Sequence, residues 1–253
     1  MKLPDLQDYD YAISEDRIAK YPVQPRDSSR ILIATHNNLR EDYFFNISKY
    51  LPPNGLLILN NTKVVPARVM VKKETGAWIE FLLTEPINND SIPLALQEKG
   101  SSKWKCMIGN AKKLKNSHHL SYYFTKNNQN IFLNIDIAWR ADNENEVTFS
   151  WEPSDLTLSE ILELIGEMPI PPYIKRKAVE EDKIYYQPVF AKISGSIASP
   201  TASLHFTDRV FQSIDDMGYR KAFITLHVGA GTFKPVKTSI EEHQMHREEF
   251  SID

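Results

Sequence analysis

From about Ala67 to Trp151 the chain alternates apolar and polar residues with a period of two, and no other feature restricts its fold so tightly. Successive side chains on a strand point to opposite faces, so the alternation specifies half-buried strands and not helices. Arg68 to Lys73 and Ala77 to Leu83 are set to pair as a hairpin across Glu74-Thr75-Gly76. Trp104 to Ile108, Leu120 to Thr125, Ile131 to Trp139 and Glu146 to Trp151 continue the series. Six strands with no helix among them predict a small all-β, barrel-like unit. Helices and strands mix on either side of it. The expected fold class is therefore a large α/β (mixed α+β) domain, residues 1–66 and 152–253, interrupted by an inserted small all-β domain at residues 67–151.

In the flanks, Ser14 is placed to cap a short helix running to Tyr21, which Pro22 stops, and Ile31 to Ala34 reads as a strand. A brief helix over Phe45 to Leu51 ends at Pro52-Pro53-Asn54-Gly55. Leu56 to Leu59 then reads as a buried strand delivering Asn60, Asn61, Thr62 and Lys63 at its C-terminal end, where open α/β sheets tend to bind ligands. Beyond the β unit, Leu158, Ile161, Leu162 and Ile165 make one helix face that Gly166 ends, and Met168-Pro-Ile-Pro-Pro-Tyr173 is rich enough in proline to be extended and rigid. Thr207 is positioned to cap a further helix with the stripe Val210, Phe211, Ile214 and Met217. After Gly218, Lys221 to Val228 returns as a strand carrying His227 to a glycine turn.

Composition enters mainly by exclusion. At 253 residues the chain exceeds the ~100–150 of a common single domain, and its 42% hydrophobic and 25% charged content is that of a globular protein. No apolar run approaches the ~18–20 residues of a membrane span, so no membrane partner is expected. Met1-Lys-Leu-Pro-Asp-Leu-Gln-Asp8 lacks the apolar core of a signal peptide. The single cysteine, Cys106, excludes an internal disulfide and fits a reducing cytoplasm, the expected location. A net charge of −3 speaks against wholesale coating of nucleic acid but leaves room for a local basic patch.

Three groups of residues have the types that carry chemistry. Of only nine glycines, three (Gly195, Gly229 and Gly231) sit in two loops with Thr201, Thr232, His205 and His227. Backbone N–H groups there can hold an anion, and a histidine beside them can move a proton near neutral pH. Residue types alone do not separate this from a structural turn with two core histidines bonded to carbonyls. The second group is polar residues at strand ends: Arg26, Asp27, Ser28 and Arg30, then Asn60, Asn61, Thr62 and Arg68. Arginine forks suit carboxylates and phosphates, and asparagines read sugar or base edges, while Asp27 and the serines equally suit turn capping. The third is basic: from Lys99 to Ile135 there are seven lysines and no acid, among them Lys103, Lys105, Lys112, Lys113 and Lys115. They offer a phosphate-binding face, or simply solvated hairpins. Glu242-His243-Gln-Met-His246 is too loosely spaced for a recognised metal motif, and no metal is expected.

Seven blocks taken in order resemble one family: Tyr21 to Arg30, Asn60 to Arg68, Lys73 to Gly76, Pro169 to Tyr173, Gly195 to Thr207, Thr225 to Val236 and Glu242 to His246. Together they are similar to the S-adenosylmethionine:tRNA ribosyltransferase-isomerases of queuosine biosynthesis. The resemblance implies transfer and isomerisation of the ribosyl group of S-adenosylmethionine onto 7-aminomethyl-7-deazaguanine at the wobble position of tRNA. Epoxyqueuosine is formed, and adenine and methionine are released. S-adenosylmethionine is then a consumed substrate, and no separate cofactor is implied. His205 or His227 becomes the expected base; Gly195, Thr201, Gly229, Gly231 and Thr232 join the arginines and asparagines as expected substrate-binding residues; and the five lysines become expected tRNA contacts. Ser203 departs from the glycine usual in the family, the stretch Gln97 to Lys115 reads as a divergent middle region, and the family carries on past the histidine block, so a missing C-terminal segment is expected. The competing expectation is a catalytically inactive relative that keeps the scaffold to bind tRNA or a nucleotide, and a weaker one is a metal hydrolase.

Overall fold

The computed structural model describes residues 6–89, 91–114, 118–126, 128–140, 145–233, 236, 242–243 and 245–252. Arg30–Thr35 (β1) and Asn38–Tyr43 (β2) form an exposed antiparallel hairpin. Leu56–Asn60 (β3) and Thr62–Val64 (β4) are one extended run interrupted at Asn61. Arg68–Lys72 (β5), Trp78–Pro86 (β6), Ser101–Gly109 (β7), His119–Lys126 (β8), Gln129–Ala138 (β9) and Asn145–Glu152 (β10) are the strands that the alternation predicts. A four-residue helix, Ile92–Ala95 (α1), and a 3-10 turn, Ala111–Leu114, interrupt a series expected to hold no helix. Then follow Leu158–Ile165 (α2), Gly166–Glu167 (β11), Asp182–Tyr185 (α3), Ile193–Ser196 (β12), Asp208–Asp215 (α4), Arg220–His227 (β13) and Glu249–Ser251 (β14). The result is a mixed α+β fold.

The larger sheet has the strand order β11-β5-β6-β7-β10-β9-β8, antiparallel at every pairing, and curls into half a barrel. Its concave face carries one residue in two from each strand: Ile79, Phe81 and Leu83 from β6, Trp104 and Cys106 from β7, Ile131, Leu133 and Ile135 from β9, Val147, Phe149 and Trp151 from β10. Each large side chain taken fully out of water contributes about 1.5–3 kcal/mol before entropy is subtracted. Helix α2 closes the open side with Leu158, Ile161 and Leu162. A capping box starts it, Thr157 Oγ1 accepting from the Glu160 N–H while the Glu160 carboxylate accepts from the Thr157 N–H. Gly166 ends it, because a Cβ there would stand 2.0 Å from Pro66 O and 2.5 Å from Leu162 O. Only glycine lets the chain pass from α2 into β11 beside β5.

β12 and β4 form a parallel two-stranded sheet, and a separate three-stranded sheet runs β3, β13, β14, with β13 parallel to β3 and β14 antiparallel to β13. One face packs beneath α4, where Val210 and Ile214 meet Phe44, Leu57 and Phe206. The other is open: Leu56 and Ile58 are 52% and 60% exposed, so β3 is not the wholly buried strand that its apolar run predicts. The N-terminal helix shrinks to a 3-10 turn, Glu15–Arg17, which buries no residue, and Ser14 makes no side-chain cap. Without an apolar face there is nothing to hold a longer helix. Among the described residues no helix is long and apolar enough to cross a membrane.

Candidate functional site

The junction of β4, β12 and β13 gathers the polar residues of the second group around His227. Asn60 splices the strands: Oδ1 accepts from the Thr62 and Leu226 N–H groups at 3.1 and 3.0 Å, and Nδ2 donates to Leu226 O at 2.9 Å. Asn61 Oδ1 accepts from Thr225 Oγ1 at 2.7 Å. Thr62, fully buried, sets its hydroxyl 2.8 Å from His227 Nδ1. Asn60 thus serves the backbone of β13 and Asn61 the Thr225 hydroxyl on the same strand, which fixes where His227 emerges.

His227 is only 5% exposed. Burial holds its imidazole below the usual histidine range, with Glu249 pulling weakly the other way. Gly195 lies flat against the ring, since a Cβ there would come within 2.5 Å of His227 Cε1. Ser196 Oγ accepts from the Val228 N–H at 2.7 Å and ties β12 to the start of the glycine turn. The ring lines a cleft of about 780 Å³ with Gly229, Gly231, Thr232, His243 and His246. Gly229 N–H donates to Glu248 Oε1 at 3.3 Å, so the anion-holding role foreseen for the turn is met here by the protein's own carboxylate. A Cβ at Gly231 would fall 2.4 Å from His246 Cγ, so a larger residue there would displace that half-exposed ring. His246 Nε2 stands 3.7 Å from Glu248 Oε1, and among the described residues no three His, Cys, Asp or Glu side chains converge as a metal site.

His205 is elsewhere. It sits half-buried at the end of a 3-10 turn, Thr201–His205, tilted against Phe44 at 5.4 Å. Together with Thr201, Arg26 and Ser29 it lines a second recess of about 190 Å³. The structure therefore separates the two histidines: each borders a different hollow.

Arg26 donates from Nη1 to Gln187 O (2.8 Å) and from Nη2 to Ile184 O (3.1 Å), holding the end of α3. Asp27, 1% exposed, accepts from Arg209 Nε and Nη2 at 2.6 and 2.7 Å and from Thr207 Oγ1 at 2.6 Å. The Arg209 fork holds its carboxyl below the usual carboxylate range, Thr207 assisting against burial. Thr207 is the first residue before α4, yet its hydroxyl serves Asp27 and not the helix backbone. Ser28 lies half-buried in the same 3-10 turn, Arg26–Ser28. Arg30 pairs with Glu41 on the exposed hairpin, and Arg68 Nε lies 2.8 Å from Glu80 Oε1 with Nη2 donating to Oε2 at 3.0 Å.

Two lysines of the basic stretch are paired across strands. Lys103 pairs with Glu146 and Lys105 with Glu85, each at 2.8 Å, acids that lie far off in sequence but next door in the sheet. Lys112 and Lys113 are exposed on the turn after β7, and Lys115 lies outside the described residues.

The chain belongs to the queuosine biosynthesis protein family, which it matches over residues 6–253. Among the relatives it matches are several S-adenosylmethionine:tRNA ribosyltransferase-isomerases. That of Sulfurihydrogenibium sp. is 41% identical over 98% of this chain and 68% of its own length. The Aquifex aeolicus protein is 38% identical over 98% and 68%, and the Fusobacterium nucleatum protein 38% identical over 98% and 65%. The chain thus spans about two thirds of the length of these relatives. A solved chain, the S-adenosylmethionine tRNA ribosyltransferase of Thermotoga maritima, is 24% identical over 88% of this chain and 59% of its own, with a TM-score of 0.32.

Proposed function

We propose that this chain is a tRNA-modifying transferase that moves and isomerises the ribosyl group of S-adenosylmethionine onto 7-aminomethyl-7-deazaguanine at the tRNA wobble position, giving epoxyqueuosine, adenine and methionine. Residues 67–151 serve in it as an inserted, mainly β unit. The observation that carries the reading is His227: buried, below the usual histidine range, and bordering the cleft beside the glycine turn. A lowered value keeps the imidazole neutral, and so basic, at neutral pH. In the tautomer this requires, Nδ1–H donates to Thr62 Oγ1, 2.8 Å away, and Nε2 is the bare nitrogen that accepts the proton.

The chemistry follows from the sulfonium. It acidifies the adjacent ribose C5′, the C5′–H bond breaks to an ylide, and the proton passes to His227. The ylide's electron pair breaks the C4′–O4′ bond to leave a vinyl sulfonium, and the freed O4′ becomes a C1′ carbonyl as the glycosidic bond breaks and adenine leaves with a proton. The tRNA amine adds at C4′ and gives up a proton, the carbanion so returned to C5′ bonds to C1′, and the resulting alkoxide displaces methionine from C5′, breaking the C–S bond as the epoxide closes. His205, in the second recess, is the alternative base. Exposed Lys112 and Lys113, with Lys115, supply the charges for the tRNA backbone, while Lys103 and Lys105 would first have to leave Glu146 and Glu85.

Adenine release measured with S-adenosylmethionine and tRNA tests this. Release that requires the 7-aminomethyl-7-deazaguanine base is the expected result. Tight binding of that tRNA by folded protein without any adenine released would favour the inactive binding relative.

A further inference from the structure

The recess beside His205 has no part in the proton transfer assigned to His227, yet it is the more aromatic hollow. Tyr21, Tyr173, Tyr185 and Tyr186 converge there with Arg26 and His205 around about 190 Å³. Resting on the ribosyltransferase reading, we propose that this recess binds a purine-type base, stacked on tyrosine, with the attached sugar running toward the His227 cleft.

Size is the first reason. Sites that enclose a whole ligand measure roughly 300–1,000 Å³, so a hollow of about 190 Å³ takes one flat part of a larger molecule. Continuity is the second. A neighbouring hollow of about 160 Å³ shares Pro171, Tyr173, Tyr186 and Thr201 with it and extends to Thr232, and Thr232 also lines the His227 cleft. The three hollows form a chain, as an elongated nucleoside derivative requires. In the middle one Ser199 Oγ is buried with no hydrogen-bond partner among the described residues, a polar group where a sugar hydroxyl would pass.

Chemistry is the third. Arg26 gives both Nη groups to carbonyls, so it holds the wall and does not seize a phosphate. The wall is braced before any ligand arrives. Arg176 forks onto Asp182 at 2.6 and 2.7 Å, donates to Lys20 O at 2.6 Å and lies 4.5 Å from the centre of the Tyr21 ring. Gln187 pairs with both backbone groups of Val64, which fixes the wall to the strand that carries Thr62. Rigid aromatic faces stack on any base, because every base has a π-face.

Photolabelling with 8-azidoadenosine, followed by peptide mapping, tests the proposal on the whole chain. Label is expected on the peptides holding Tyr21, Tyr173 or Tyr185–Tyr186. Tyr173→Ala, at a residue 58% exposed and so outside the core, is expected to weaken labelling about tenfold, the scale of one lost base–aromatic stack, with the thermal midpoint retained. Competition assigns the source: protection by S-adenosylmethionine places its adenine there, and protection only by tRNA bearing 7-aminomethyl-7-deazaguanine places the tRNA base there. Label confined to the His227 cleft, or no label, would overturn the recess even if adenine release were intact. Label at the tyrosines with no adenine release would keep the recess and overturn the catalytic reading.

Discussion

At the residue scale the site depends on contacts made over long sequence distances. Asp27 binds Arg209 and Thr207 across the molecule, and Asp27→Ala should cost about 2 kcal/mol, since three charge-assisted bonds are lost but Arg209 keeps access to water. Because the folded-state value of Asp27 is lowered, its stabilisation is full above the ordinary aspartate value and is lost as pH falls through the folded one. Urea unfolding of wild type and Asp27→Ala as a function of pH should therefore show curves that converge in acid. His227 is also lowered, so the neutral ring favours the fold above the ordinary histidine value and protonation in acid works against it. Gly195→Ala would drive a methyl into the His227 ring. It is expected to cut turnover at least ~100-fold, as misplacing a reacting group by about 1 Å can, and a steady-state assay beside a thermal melt separates this from unfolding.

At the element scale the passage from α2 to β11 is the tightest point. Gly166→Ala places its methyl against two backbone carbonyls that cannot swing aside, and an ~2–4 kcal/mol loss in urea unfolding is expected, in the range of overpacked cores. All six strands of the central series were legible because period-two alternation survives any tertiary arrangement, and α2 because Leu158, Ile161 and Leu162 repeat at helical spacing. What sequence could not show is pairing between distant stretches. Lys103 and Lys105 look unopposed until β10 and β6 bring Glu146 and Glu85 beside them. Asn60 looks like a ligand reader until β13 takes its amide. The tyrosine recess is not legible in the sequence because its rings come from three stretches far apart in the chain.

At the scale of the whole molecule, a middle hollow shares Thr201 with the tyrosine recess and Thr232 with the His227 cleft, so the proposed base-binding and proton-transfer sites have a common neighbour. Membership of the queuosine biosynthesis family supports the proposed substrates, and His227 is the proposed base. The decisive measurement is single-turnover adenine release from S-adenosylmethionine near neutral pH, with tRNA bearing 7-aminomethyl-7-deazaguanine, for wild type and a folded His227→Ala variant. Release by wild type that falls by at least ~100-fold in the variant is predicted, the scale of a lost general base. Undiminished release by His227→Ala would contradict the role given to His227, and no release by folded wild type would contradict the enzyme itself.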